Sequence, residues 1–310
     1  MHILTIVHGY PPRHNAGAEW MVHEMMKFMI IKGHAVKVLL KGCEDYTFEG
    51  VHVVGSLTSD NSDLIISHLK CSGYALNRAE YYKKPYIELV HNSNTMGIIK
   101  AKNRPKNAGQ FVYVVYNSEF TKKENHYPNP GIVCHPHVDS KRYKTKRGNR
   151  ITLINLFERK GGKFFAELAR LMPEYNFLGV EGSYGPQEKI EEPNVTILKN
   201  TPDAKDIYAK TRILLMPSIY ESYGRTGIEA MVSGIPVIAS PTPGLREALG
   251  DAGIYCKLES PLKWIEAIKS LDDPKYYKEV SDRCVKRAKE VEQVTLKELA
   301  KFDEFLNSIL

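Results

Sequence analysis

Residues 212–240 read RILLMPSIYESYGRTGIEAMVSGIPVIAS. An apolar run, RILLMP, leads through the loop SIYESYGRT, which contains Gly224, into a helical pattern, GIEAMVS, that starts with Gly227, and then into a second apolar run, IPVIAS. Apolar runs that alternate with helical patterns are typical of βαβ units, in which a helix joins two parallel strands. This stretch therefore predicts a parallel sheet covered by helices.

The same alternation extends over the whole chain. Further candidate strands are HILTIV, VKVLL, DLIIS, YIELV, FVYVVY and GIVC in the first half, and ITLIN, NFLGV, VTIL and AGIYC in the second. Candidate helices are EWMVHEMMKFMIIK, which Gly33 ends, KFFAELARLM, DAKDIYAK, and three segments that begin near Pro261, Pro274 and Val294. The pattern predicts two Rossmann-like, doubly wound parallel sheets in one chain.

A polar and basic stretch, PHVDSKRYKTKRGNR, interrupts the pattern at residues 136–150. We therefore predict a first domain at 1–140, a linker at 141–150, a second domain at 151–292, and a C-terminal helix at 293–310 that packs back on the first domain. Two such domains are expected to face a central cleft, with ligands at the carboxyl ends of the strands. Polar residues that follow predicted strands are His91, Asn92, Asn117, Ser118, Asn155 and Ser218.

The composition, 43% hydrophobic and 25% charged residues, is that of a globular protein. No apolar run approaches the length of a membrane span, and the first ten residues resemble a strand rather than a signal peptide. The five cysteines form no CxxC pair, which favours reduced thiols and a cytoplasmic location, with docking at the membrane surface as a further expectation.

The basic residues are concentrated in the first half of the chain. Residues 1–150 carry 21 Lys and Arg against 12 Asp and Glu, whereas residues 151–310 carry 22 against 24, and all eleven histidines lie in the first half. This asymmetry predicts an anionic partner for the first half, either a nucleic acid or a membrane surface; a solvated surface without a partner is the alternative.

The loop and helix after RILLMP indicate a phosphate site. A helix start exposes backbone N–H groups, and Gly224 and Gly227 allow a ligand to approach the main chain. Glu221 and Glu229 would repel a phosphate unless each reaches past it to hydroxyl groups. A diphosphate with a sugar next to Glu221 and a ribose next to Glu229 satisfies that condition.

These residues resemble the donor site of retaining glycosyltransferases of family 4, which have the GT-B fold. The family signature, E-x7-E with E-A-M and a small-Gly-x-Pro-V-I stretch, is matched by Glu221, Glu229, Ala230, Met231, Gly234, Pro236 and Val237. Other stretches similar to family motifs are YPPRHNAGAEWMVHEM, LVHNS, HPHVDSKRY and NLFERKGGKFFAELARL.

The resemblance implies a role for each matching residue. The expected catalytic residues are Lys160, which neutralises the donor diphosphate, His91, which hydrogen-bonds the donor sugar, and Glu221, which contacts sugar hydroxyls. Other expected donor contacts are Gly17, Asn155, Gly224, Arg225, Thr226 and Glu229, with Glu181, Gly182 and Lys199 at the nucleobase. Expected acceptor contacts are Arg13, His14 and Asn92.

The chain departs from the family pattern at several positions. Asn155 replaces an Arg that holds the diphosphate, Ala16 replaces a loop glycine, and Pro136-His137 replaces Asn-Gly. Arg225 stands where the family has an apolar residue, and is either a replacement cation or a solvent-facing side chain.

The resemblance implies a metal-independent, retaining transfer from a nucleotide sugar, most simply a UDP-sugar, without a cofactor. The leaving phosphate would help to deprotonate the acceptor. The chain has no Asp-x-Asp, and His135 and His137 are expected to be surface residues rather than metal ligands.

Several interpretations of function stay open. The acceptor is a membrane lipid or an anionic glycan, a hydroxymethylated base in DNA, or a small soluble molecule; the basic stretches KAKNRPKN and KRYKTKRGNR bear on this choice. A glycoside hydrolase with Glu221 and Glu229 as acid and base is less consistent with a phosphate cradle. An oxidoreductase would need G-x-G-x-x-G, which both candidate loops lack. A non-enzymatic sugar-nucleotide or glycan-binding protein would share the fold.

Overall fold

The computed structural model describes residues 1–92, 111–125 and 127–309. It divides into two compact units, the first comprising Met1–His14, Ala18–His137 and Thr295–Leu310 and the second Asn15–Gly17 and Val138–Val294. Each unit is built on a sheet of mainly parallel strands with helices along the chain between them. The predicted α/β class with two parallel-sheet units is confirmed.

The first unit contains an eight-stranded sheet. Its strands are β1 His2–Val7, β2 Ala35–Leu40, β3 Tyr46–Phe48, β4 Val51–Val54, β5 Leu64–His68, β6 Tyr86–Val90, β7 Val112–Tyr116 and β8 Gly131–Val133. They lie in the order β3-β4-β2-β1-β5-β6-β7-β8, and β3 with β4 forms the antiparallel pair. This hairpin was not predicted from the sequence; its turn residues, Glu49 and Gly50, both have positive φ, as in a type I′ turn.

The described helices of the first unit cover this sheet. They are α1 Gly17–Ile31, α2 Ser72–Tyr81 and α3 Glu119–Asn125. The methionines Met25, Met26 and Met29 of α1 are buried, as the helical spacing predicts. Gly33, with φ of +86°, ends this helical segment because a left-handed residue is favourable for glycine.

The second unit contains a six-stranded parallel sheet. Its strands are β9 Arg150–Ile154, β10 Phe177–Val180, β11 Val195–Leu198, β12 Thr211–Met216, β13 Val237–Ala239 and β14 Ile254–Tyr255. They lie in the order β11-β10-β9-β12-β13-β14, which is the 3-2-1-4-5-6 order of a Rossmann sheet. The strand order therefore reverses between β9 and β12, and ligands of such sheets bind beside that point.

The first of the remaining helices overlaps the predicted linker. They are α4 Ser140–Tyr143, α5 Gly162–Leu171, α6 Ala204–Tyr208, α7 Arg225–Val232, α8 Pro243–Leu249, α9 Pro261–Ser270 and α10 Pro274–Ser308. The Asp139 side chain caps α4, and Tyr143 at its end is buried in the core of the second unit. Part of the predicted linker is therefore packed structure.

The C-terminal helix α10 is continuous from Pro274 to Ser308, so the prediction of a separate segment starting near Val294 was wrong. Its last turns, from Thr295, belong to the first unit and bury Leu299, Phe302 and Leu306 in the same core as α1.

Three histidines hold these last turns within the first unit. His34 lies 2.6 Å from Asp303, His135 lies 2.9 Å from Glu298, and His137 lies 2.8 Å from Thr295. His135 and His137 are therefore packing contacts, contrary to the expectation of surface residues. Among the described residues, no helix is both long and apolar enough to cross a membrane.

A buried carboxyl group lies on an inner strand of the first sheet. Glu88 on β6 accepts hydrogen bonds from Tyr86 and, at 2.6 Å, from Ser72. Burial raises the pKa of Glu88 to about 8, although both hydrogen bonds act in the opposite direction. The folded protein therefore holds a proton at Glu88 over a pH range in which the unfolded chain has released it.

We predict that this group makes stability fall as pH rises. The folded state binds the extra proton between about pH 4.5 and pH 8, so the contribution of Glu88 is complete below that window and lost above it. Glu88→Gln should remove this dependence and raise the free energy of unfolding at pH 8.5 by a few kcal/mol, at about 1.4 kcal/mol per pKa unit. Urea unfolding at pH 5 and pH 8.5 measures the effect; equal changes at both values would contradict it.

Candidate functional site

The second unit brings Lys160 and Glu221 together at its switch point. Lys160 ends a 3-10 turn that follows β9, and Glu221 lies in the loop that follows β12. The ammonium of Lys160 donates to Oε1 of Glu221, and the Ser218 hydroxyl donates to the same oxygen at 3.2 Å. Lys160 is 21% and Glu221 13% exposed, so a ligand can reach this pair.

The environment of Lys160 keeps it charged. Burial by itself would lower the pKa of Lys160, but the Glu221 carboxylate and the Tyr184 side chain raise it above its ordinary value. The site therefore holds a positive charge next to a carboxylate. This combination can bind a phosphate and a neighbouring hydroxyl group at the same time.

Two glycines set the positions of the Lys160 and Glu221 loops. Gly161 has φ of +93°, and a Cβ there would lie 2.6 Å from the carbonyl oxygen of Pro217. A Cβ on Gly244, in the first turn of α8, would lie 2.2 Å from the carbonyl oxygen of Glu221. Backbone contacts that only glycine permits therefore fix both loops.

The glycines around the start of α7 have a packing role. The sequence suggested that Gly224 and Gly227 leave room for a ligand. In the structure, a Cβ on Gly224 would meet Leu245, and one on Gly227 would meet Leu249, each at 2.6 Å. These glycines therefore allow α7 to pack closely against α8. The helix begins at Arg225, close to the predicted start near Gly227.

Arg225 and Glu229 form a buried ion pair on α7. Their side chains are only 6% and 9% exposed, and Nη1 of Arg225 lies 2.5 Å from Oε1 of Glu229. Nη2 of Arg225 donates to the Tyr143 hydroxyl at 2.9 Å, and the Tyr208 hydroxyl donates to Oε2 of Glu229 at 2.7 Å. The interpretation of Arg225 as a solvent-facing residue is wrong. Its guanidinium neutralises Glu229, so it is not a free replacement cation for a diphosphate.

The loops expected to hold the nucleobase are organised by a residue that sequence analysis missed. Oε1 of Gln187 accepts from the backbone N–H of Leu156 at 2.9 Å and of Gly182 at 2.8 Å. Lys199 and Glu181 form an exposed ion pair, 2.9 Å apart, beside this loop. A glutamine has no recognisable spacing signal, which is why sequence reasoning did not find it.

Asn155 is a turn residue in this structure. It has φ of +75°, and its Oδ1 accepts from the backbone N–H of Phe157 at 3.1 Å. Asparagine tolerates this left-handed conformation better than most residues. The side chain expected to replace a donor-binding arginine thus stabilises the turn that leads to Lys160.

Gly17 begins α1 and is the last of three residues grouped with the second unit. The preceding Asn15 contacts Asn200 through its side chain at 3.2 Å and accepts from the Ser183 hydroxyl at 2.9 Å. No atom of the described residues lies within 4 Å of a Cβ built on Gly17. The space beside Gly17 is thus open, as a diphosphate contact requires.

The first unit gathers four histidines and a glutamate. His68 ends β5 and His91 follows β6, and Nδ1 of His68 lies 3.1 Å from Nε2 of His91. Oε1 of Glu19 lies 3.6 Å from Nε2 of His8 and 3.5 Å from Nδ1 of His14. We call these five residues the histidine cluster.

Burial controls the charge of this cluster. It lowers the pKa of His91 to about 4, with His8 acting in the same direction, and it is the main reason that the pKa of His68 is well below its ordinary value. Burial also raises the pKa of Glu19. His91 therefore meets any ligand as a neutral imidazole.

Other predicted contact residues have different surroundings. The Arg13 guanidinium stacks 4.5 Å above the Tyr46 ring, and Ser118 caps α3 by accepting from the backbone N–H of Thr121 at 3.0 Å. Asn92 lies one residue after His91 and is partly exposed. The basic stretch KAKNRPKN, at 100–107, lies outside the described residues.

Comparison with known proteins identifies related sequences for part of the chain. Residues 154–273 match the family model described as "Glycosyl transferases group 1". The O-antigen chain mannosyltransferase RfbU of Salmonella typhimurium is 37% identical over 70 residues, 23% of this chain and 20% of that protein. The MMP alpha-(1->4)-mannosyltransferase of Mycolicibacterium hassiacum is 30% identical over 118 residues, 34% of this chain and 29% of that protein. The matches thus span less than a third of either relative.

Solved structures resemble the whole chain. Sucrose-phosphate synthase from Thermosynechococcus elongatus matches with a TM-score of 0.78 at 15% identity, over 99% of both chains. Anabaena HepE in complex with UDP and glucose matches with a TM-score of 0.77 at 16% identity, over 99% of this chain and 100% of that one. This likeness shows the GT-B fold.

We predict that Arg225→Met destabilises the protein because it leaves Glu229 as an unpaired buried carboxylate. The expected loss is about 3–5 kcal/mol in the free energy of unfolding, and Arg225→Met/Glu229→Gln should recover part of it. Urea unfolding measures both variants. Unchanged stability of Arg225→Met, with weaker binding of a nucleoside diphosphate, would instead assign Arg225 to the ligand.

Proposed function

We propose that this protein is a retaining glycosyltransferase that moves a sugar from a nucleoside-diphosphate sugar to a hydroxyl acceptor. The observation that carries the proposal is the Lys160–Glu221 pair at the switch point of a Rossmann sheet. The match of residues 154–273 to a glycosyltransferase family model supports it independently.

In this proposal the donor separates the Lys160–Glu221 ion pair and binds both of its residues. The diphosphate takes the Lys160 ammonium, which releases the Glu221 carboxylate to accept hydrogen bonds from the sugar hydroxyls. Gly17 lies beside open space and permits close approach of the phosphates, and the first-turn N–H groups of Arg225 and Thr226 add a positive dipole. Glu229 is held by Arg225 and Tyr208 in a fixed orientation for the ribose.

The proposed reaction breaks the bond between the anomeric carbon and the phosphate oxygen and forms a bond to the acceptor oxygen on the same face. The acceptor proton passes to the leaving phosphate. Lys160 and the backbone N–H groups stabilise the diphosphate charge without a metal ion at that position. Glu221 stabilises the positive charge that develops on the sugar, and His91 stays a predicted contact of the donor sugar.

The donor is proposed to be a UDP-sugar. HepE, which matches over the whole chain, was solved with UDP and with UDP-glucose. Lys199 and Glu181, together with the loop that Gln187 organises, are the proposed nucleobase contacts.

The acceptor is proposed to be a lipid or an anionic glycan. The relatives include an O-antigen chain mannosyltransferase and a D-inositol 3-phosphate glycosyltransferase, whose names specify glycan and phosphorylated acceptors. The net positive charge of residues 1–150 suits such an anionic acceptor at a membrane surface. The same positive charge would also attract DNA, so hydroxymethylated DNA is the second candidate acceptor.

We predict that Lys160→Ala and Glu221→Gln separate binding from turnover. Lys160→Ala should weaken UDP binding at least about tenfold, or 1.4 kcal/mol, and abolish UDP release from the sugar nucleotide. Glu221→Gln should bind UDP at least as tightly as the native chain, since Lys160 no longer pairs with a carboxylate, yet lose turnover. Calorimetry with UDP and a diphosphate-release assay measure the two effects.

The matched control is Lys163→Ala. Lys163 lies three residues from Lys160 but is 65% exposed and pairs with Glu158, so its removal should change neither quantity. If Glu221→Gln released diphosphate at the rate of the native chain, Glu221 would have no role in the transfer reaction. No release from any UDP-, GDP- or ADP-sugar by the native chain, with or without added metal, would overturn the proposed function.

We predict that anionic acceptors stimulate this release. The assay should respond to vesicles that contain anionic phospholipid and glycolipid, and not to neutral vesicles, because the basic half of the chain attracts anionic surfaces. Stimulation by hydroxymethylated duplex DNA, lost at high salt, would transfer the proposal to nucleic-acid modification.

A further inference from the structure

The histidine cluster contains buried polar atoms that lack partners. Nδ1 of His8, Nδ1 of His14, Oε2 of Glu19 and Nε2 of His68 are inaccessible and have no hydrogen-bond partner. Glu19 is 2% exposed and His68 is fully buried. Native proteins rarely leave such groups unsatisfied, so these side chains have the capacity to bind a further polar species.

The spacing of the cluster suits a metal ion. His8, Glu19 and His68 each offer one ligand atom, and these three atoms lie within 4.8 Å of one another. Two atoms that each lie about 2.1 Å from a tetrahedral zinc ion are about 3.4 Å apart. Oε1 of Glu19 lies 3.6 Å from Nε2 of His8, and 3.5 Å from Nδ1 of His14, close to that separation.

The sheet order explains why these residues meet. His8 directly follows β1, His68 ends β5, and His91 follows β6, and these three strands are neighbours. Their carboxyl ends therefore present the three imidazoles at one edge, where Glu19 projects from the first turn of α1. His91 contacts Nδ1 of His68, and this hydrogen bond orients the His68 ring and leaves its Nε2 for a metal ion; histidine ligands of metals are commonly oriented in this way.

A second group in the first unit provides a contrast. His23, Glu24 and Glu49 are equally close together, but this group already contains a cation. Lys27 Nζ lies 2.8 Å from Glu49 and 3.5 Å from Glu24, and the Tyr10 hydroxyl contacts His23 at 2.9 Å. Within the part of the chain that the structure describes, the ion-pair partners of Glu19 are both histidines.

We propose that the first unit binds a divalent transition-metal ion through His8, Glu19 and His68, with zinc as the best match. Two imidazoles and one carboxylate favour zinc or a similar ion over magnesium or calcium, which prefer oxygen ligands. His14, or a group from a bound ligand, completes the coordination. This site lies apart from Lys160 and Glu221 in the chain, and its existence does not depend on the proposed transfer reaction.

The test is a cobalt titration of the complete chain, purified without a histidine tag and dialysed against chelator. We expect one equivalent of Co²⁺ to bind, with the visible absorption bands of a four-coordinate ion, and Zn²⁺ to displace it. Saturating Zn²⁺ should also raise the melting temperature by several degrees, because it binds the folded state. Less than stoichiometric binding to the native chain would overturn the proposal.

Variants identify the ligands. Glu19→Gln, which keeps the shape of the side chain, and His8→Asn should each weaken Co²⁺ binding at least about tenfold, as should His68→Ala. Glu49→Gln, in the contrasting group, and His52→Ala, at an exposed position of β4, should bind as the native chain does. Circular dichroism of each metal-free variant verifies folding. Unchanged binding by Glu19→Gln and His8→Asn would place the ion elsewhere and refute the proposal.

Discussion

The second unit depends on the neutralisation of one buried carboxylate. Glu229 is a buried residue of α7, and an ionised carboxylate in a buried position is strongly unfavourable unless it is paired. Arg225 supplies the charge, and hydroxyl groups of Tyr143 on α4 and Tyr208 on α6 complete the hydrogen bonds. One ion pair thereby ties together three helices that are far apart in sequence. These contacts hold the start of α7 against α4 and α6.

The two ion pairs of the site differ in what they permit. Arg225 and Glu229 are almost fully buried and are paired with each other, so their side chains are held in one arrangement. Lys160 and Glu221 are partly exposed, and a ligand with a phosphate and a hydroxyl group can replace each partner. Exchange of partners keeps every charge compensated, which avoids the cost of isolating a charge in a desolvated site. The site thus combines a buried ion pair, Arg225–Glu229, with an accessible ion pair, Lys160–Glu221, whose partners a ligand can replace.

The sequence predicted the strands well because a buried parallel strand requires a continuous apolar run. It missed the hairpin β3–β4, whose strands are short, and the helix α2, whose residues are mostly polar. It also predicted that Gly227 leaves room for a ligand, whereas the structure shows that Leu249 occupies the space next to this glycine. The histidine cluster could not be predicted from the sequence. Four separate segments contribute residues to it, and the spacing of these residues along the chain does not show that they are close in space.

The continuous helix α10 has a consequence for the order in which the protein matures. Its last turns supply Leu299, Phe302 and Leu306 to the core of the unit that begins the chain. Translation proceeds from the N-terminus, and domains usually fold as they emerge from the ribosome. Here the sheet around β1 is translated before the second unit, yet its core lacks these three side chains until the second unit has been translated. The first unit is therefore completed only after the second unit has been translated, and until then part of its core is unfilled.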